Sequence, residues 1–255
     1  ASYITSLNAV CSYARMNNRN PFTKQNLRVS FQPSKKNKPV EYTDFLDSLN
    51  NIKTMHQAEA VLFWLYSFCL KGLDGVDIAK LSEDNIVTEG YKKGSLEDYI
   101  PEVDILGDEK QREKYNKRVH IRLTRKKSIE GEANDSGVDA IVLVNLFPTL
   151  IVLQMLKYAI RYNRPDLAYE GDDILRLYNF DPYTETSKWT ERRNAYNQAI
   201  SSRMGTTTQR TRHTVANLGS ELGMRQEEID IMLNHKIKGV VKHYLTPEQG
   251  KQDVF

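Results

Sequence analysis

The sequence predicts a mostly α protein with a small antiparallel β-sheet, an α+β fold, and three observations lead there. Apolar residues recur at helical spacing along most of the chain. One stretch, Val119, Ile121 and Leu123, alternates instead with polar and basic residues, the period of a half-buried strand. A second run, "DAIVLVNL" from Asp139 to Leu146, follows across the polar loop "SIEGEANDSG" and reads as its hairpin partner. The 255 residues are enough to bury a sizeable core, and 27% charged with 40% hydrophobic residues is the balance of a globular chain.

In chain order, the first helix is expected from Ser2 to about Met16, stopped by an Asn-rich turn and Pro21. Residues 23–41 are polar and basic and hold Pro33 and Pro39, so they read as a linker between residues 1–22 and a larger domain, 42–255. Thr43 is placed to cap "DFLDSLNN", and an apolar helix is expected over His56 to Leu70. "GVDIAKLSEDNI" reads as a short helix running into a turn, and residues 88–117 as a surface excursion. After the hairpin, helices are expected at Pro148 to Tyr162, Ser187 to Ser201, Thr207 to Leu222 and Gln226 to Leu233, with a last short one ending near Leu245. The chain begins at Ala1, without Met and inside a helical pattern, and is read as a piece of a longer protein.

The longest apolar run, "AVLFWLYSFCL" (Ala60 to Leu70), ends at Lys71 and is too short to span a bilayer. With no signal peptide and only Cys11 and Cys69, the expected location is the reducing cytoplasm, in association with the nucleoid, and no membrane partner is expected. Cys69 is expected as a buried thiol. No cluster of carboxylates, His or Cys stands at ligand spacing, so neither metal nor cofactor is expected.

A net charge of +3 says little about partners, but its distribution says more. "KRVHIRLTRKKS" (Lys117 to Ser128) holds six Lys or Arg in twelve positions, and "SKKNK" adds Lys35, Lys36 and Lys38. Arg122, Arg125, Lys126, Arg210, Lys35 and Lys36 are the expected phosphate-backbone contacts to double-stranded DNA.

In "RTRHTVANLG", Arg212 and His213 open a helix; His235 follows in "IMLNHKIKGVVKHYL", and Tyr244 stands nine residues further on. Taken singly these are ordinary residues, Tyr244 being one of 14 tyrosines. Together, Arg212, His213, Thr214, Gly223, Leu233, Asn234 (where Gly is usual), His235 and Tyr244 resemble the C-terminal signature of the tyrosine recombinase, or phage integrase, family. "SFCLKGLDGVDIAKL" resembles a variant of that family's box I found in some mobile-element integrases, "LTRKKS" its β-hairpin lysine motif with Lys127 the best match, and "RNPF" the exit from its core-binding domain. The resemblance covers nearly the whole chain. It implies the family's catalytic-domain fold over 42–255 and the end of a core-binding domain over 1–22.

What it implies for chemistry is DNA strand breaking and rejoining through a 3′-phosphotyrosine, by a homotetramer assembled on DNA, without metal. A tyrosine phenol is a nucleophile whose phosphodiester conserves the bond energy for religation. Arg212 offers paired donors to the phosphate oxygens, His235 adds another, and Lys127 can protonate the leaving 5′-oxygen. Two positions depart from the family. Its first arginine falls at Asp74, where a carboxylate is expected to repel phosphate, and Lys71, next to Gly72, is the expected substitute; its box II histidine is Gln209, which donates a hydrogen bond but exchanges no proton. Two other tasks stay open on the same residues: a catalytically impaired DNA-binding accessory protein, and a type IB topoisomerase-like enzyme.

Overall fold

The apolar run ending at Cys69 becomes the helix around which the others pack. A computed structural model of the chain describes residue 40 and residues 42–94, 118–126 and 139–233, all within one compact unit, Pro39–Phe255. The expected first helix, the linker except Val40, residues 95–117 of the excursion, the hairpin loop 127–138 and everything after Leu233 lie outside the described residues.

Helix α1 spans Tyr42–Asn50, so Thr43 sits inside the first turn and is not its cap. Helix α2 spans Met55–Cys69; the Thr54 side chain caps it by accepting from the Gln57 N–H. Buried side chains cover most of the circumference of α2, among them Glu59, Phe63, Trp64 and Tyr66, with Leu62, Leu65 and Cys69 partly buried on the remaining face. After it come α3, Gly75–Lys80, and a 3-10 turn, Glu83–Asn85.

Strands β1 (Arg118–Thr124) and β2 (Asp139–Asn145) pair antiparallel, with Ile121 opposite Val142. Val119, Ile121 and Leu123 are buried while Arg118, Arg122 and Thr124 are exposed, which is the alternation read from the sequence. The expected surface excursion is built into the sheet at its start. Ile86 bridges Ile121, the Val87 N–H donates to the His120 carbonyl, and Thr88 Oγ1 accepts from the His120 N–H at 2.8 Å.

Strand β2 runs straight into helix α4, Leu146–Asn163. Leu146 is therefore the first residue of the helix, not the last of the strand. Pro148 falls within its first turn, where a missing N–H costs no hydrogen bond. Helix α5, Thr186–Met204, extends past both expected ends. A 3-10 turn, Thr208–Arg210, then leads into α6, Thr211–Glu221, so the expected single helix is two pieces. Gly223, at φ +81°, takes the left-handed conformation that turns the chain into α7, Gln226–Met232.

Helix α2 packs against α4, α5 and α6. Its core contacts include Phe63 stacked on Tyr196 at 4.6 Å. A buried ionic network crosses the same interface: Arg192 bonds Glu59, which also accepts from Tyr196 at 2.6 Å and Asn163 at 2.7 Å. Among the described residues no helix is long and apolar enough to cross a membrane.

Candidate functional site

Three segments far apart in the sequence converge at the start of α6. The first is the turn after α2. Lys71 and Gly72 both adopt positive φ, +57° and +70°, a region few non-glycine residues enter. This turn lies directly on Arg212: a Cβ on Gly72 would stand 2.6 Å from the Arg212 Cα. Only glycine permits that approach.

The second segment is the end of β1. The Arg125 guanidinium bonds Asp74, the residue before α3, and its Nε donates to Asp77 in α3 at 3.2 Å. Both partners are largely shielded from water, Arg125 being 13% and Asp77 1% exposed. Asp77 also accepts from the Lys126 backbone N–H at 3.0 Å and the Tyr183 hydroxyl at 2.8 Å. Asp74, read from the sequence as a carboxylate that would repel an anion, is paired with Arg125, which it shares with Asp77.

The third is Arg212 itself, half-buried in the first turn of α6. Its Nη2 donates to the Leu233 carbonyl at the end of α7. Burial, and then the neighbouring Arg125, hold its pKa below the usual arginine value, while Asp74 and Asp77 oppose the shift. Arg125 and Arg212 are thus close enough to feel one another's charge. Arg125 is held by the two carboxylates and Arg212 by the Leu233 carbonyl, and a guanidinium with a spare edge in partly desolvated surroundings is suited to an oxyanion.

Lys71 contributes to this cluster through its backbone. Its ammonium pKa is lowered by burial and then by Arg118, with Cys69 acting the other way. Gln209 is exposed on the 3-10 turn, and Arg210 Nη1 donates to the Gly205 carbonyl at 2.8 Å. Arg122 is exposed on the outer face of β1, beside Arg118 and Thr124. Cys69 is half-buried, and burial pushes its thiol up to about 11.

Lys127, His235, Tyr244, Lys35 and Lys36 lie outside the described residues. Leu233, whose carbonyl Arg212 holds, precedes His235 by two positions in the sequence. No group of His, Cys, Asp and Glu able to hold a metal occurs among the described residues.

Sequence reasoning missed Asp77 and Tyr183. Asp74 and Asp77, three apart at the start of a helix, were a legible sign of a shared cationic partner. Tyr183 stands in an aperiodic stretch between α4 and α5 and carried no signal. The chain has no significant match to a family-wide sequence profile, to a curated protein or to a solved structure.

Proposed function

We propose that the chain is a site-specific DNA recombinase, an integrase of a phage or other mobile element, that cleaves and rejoins DNA through a 3′-phosphotyrosine. The observation that carries this reading is the packing of Gly72 on Arg212, with Arg125 held by Asp74 two residues further on. Residues 71–77, 125–126 and 212 are drawn from the three motifs that resemble the family's box I, hairpin and box II.

In the proposed step the Tyr244 phenol oxygen attacks phosphorus and loses its proton to water. The bond from phosphorus to the 5′-oxygen breaks, and that oxygen takes a proton from Lys127. Arg212 and His235 donate to the non-bridging oxygens, where negative charge accumulates. Double-stranded DNA is the substrate and a homotetramer on DNA the working assembly. The exposed Arg118 and Arg122 face of β1 offers the phosphate-backbone contacts.

The test is a duplex nicked beside the scissile phosphate, on which cleavage cannot reverse. The protein should become covalently attached, and Tyr244→Phe should abolish attachment while binding persists. Full binding of the nicked duplex without any adduct would refute the recombinase reading and leave a DNA-binding accessory protein. Strand exchange between two duplexes, as against relaxation alone, separates a recombinase from a topoisomerase.

A further inference from the structure

We infer that Arg125 is the second phosphate-clamping cation of this site, delivered from the end of β1 and oriented by Asp74 and Asp77 as positioning residues. The inference rests on the recombinase reading and deepens it. At the position where that reading needs a cation, the chain has the carboxylate of Asp74, and Arg125 binds it. A carboxylate there is therefore an anchor for a guanidinium that comes from another segment.

The geometry ties Arg125 to the segment that packs on Arg212. Arg125 is bonded to Asp74, two residues along from the Gly72 that lies on the Arg212 backbone. An arginine carries five N–H donors, and the bonds to Asp74 and Asp77 engage its Nη2 and its Nε. The planar fork is held on one edge while its other edge can meet a phosphate.

Asp77 is fit for orienting rather than neutralising. Its charge is divided among Arg125, the Lys126 N–H and the Tyr183 hydroxyl. The Lys126 bond also fixes the backbone next to Lys127, so α3 governs both the clamp and the entry to the hairpin loop. A pentacovalent phosphorus bears charge on two non-bridging oxygens, and two guanidiniums approaching from different segments can each take one.

The test compares covalent adduct formation on the nicked duplex with a second duplex whose scissile phosphate has one non-bridging oxygen replaced by methyl, which removes the charge. Arg125→Gln should lower the adduct rate on ordinary phosphate by about 10²- to 10³-fold, with single-site binding little changed. On the methylphosphonate most of that loss should disappear. Since Arg125→Gln takes a cationic partner from both Asp74 and Asp77, the variant Asp74→Asn/Asp77→Asn/Arg125→Gln, which removes both carboxylates as well, should behave the same way.

If both variants cleave ordinary phosphate at the unmutated rate, or lose activity equally on both substrates, Arg125 is no clamp and the inference fails alone. If the unmutated protein forms no adduct on either duplex, the recombinase reading fails and the inference falls with it.

Discussion

Gly72 and Arg212 meet backbone to backbone, 2.6 Å separating the Arg212 Cα from the place a Gly72 Cβ would occupy. Gly72→Ala must therefore both strain a φ of +70° and push the start of α6 away. Left-handed strain costs about 1–2 kcal/mol and overpacking about 1–3 kcal/mol more. Gly90, at φ +75° with nothing within 4 Å, provides the control. In urea denaturation Gly72→Ala should lose clearly more stability than Gly90→Ala; equal losses would mean the contact yields.

The buried Glu59–Arg192 pair gives a second prediction. Glu59 is 0% and Arg192 3% exposed. Glu59→Gln preserves shape but leaves a buried guanidinium uncompensated, at about 3–5 kcal/mol. Tyr196→Phe removes a hydroxyl that donates to Glu59, accepts from Arg192 and meets the Tyr178 hydroxyl, but it leaves the ion pair in place and should cost less, about 1.5–3 kcal/mol. Chemical denaturation of the two variants should rank them in that order.

Alkali should destabilise the fold. Tyr66, Tyr178 and Tyr196 are fully buried, and burial holds their phenols well above the ordinary value of 10.0, as it holds the Cys69 thiol at about 11 against 9.0. These groups stay protonated when folded and ionise in the unfolded chain, which then binds fewer protons. Stability contributed by their neutral burial is complete below about pH 9 and falls as pH rises through the folded-state values. The urea midpoint should drop from about pH 9 to about pH 10.5, first through the Cys69 thiol, whose ordinary value is 9.0, and then through the tyrosines at 10.0, and a flat profile would contradict their burial.

Binding to a DNA duplex should weaken with salt, each neutralised phosphate adding roughly −0.9 to the slope of log K against log salt. Arg122, exposed on the outer face of β1, is a candidate contact. Arg122→Ala should flatten the slope by about one unit and weaken binding to all sequences alike. An unaltered slope would remove β1 from the interface.

Arg212→Lys keeps the charge but loses the planar fork. On the recombinase reading it should slow adduct formation by about 10²- to 10³-fold, measured on the nicked duplex, while Gln209→Ala, at an exposed position, should cost much less.

The hairpin was legible because one face of β1 is buried, so its residues alternate. Helix α2 was legible because its length and apolarity suit an enclosed helix. Element ends were less so: whether Leu146 closes a strand or opens a helix depends on how the chain leaves the sheet, which no local pattern records. At the site, Arg212 and the 71–77 segment could be picked out as motifs. Their partner Arg125 was picked out only as one basic residue among several, because an ion pair spanning 51 positions leaves no mark in local spacing. The pairing of Asp74 was missed for the same reason.

The bond from Arg125 to Asp74 also has an evolutionary consequence. Two codons far apart in the gene answer for one ion pair, so a change at either alters the charge balance in which the other is kept. A lineage that acquired arginine at position 74 would make the one at 125 redundant and then repulsive. The expected trace among descendants is paired exchange, arginine moving between the two positions with the carboxylate present only where it sits at 125.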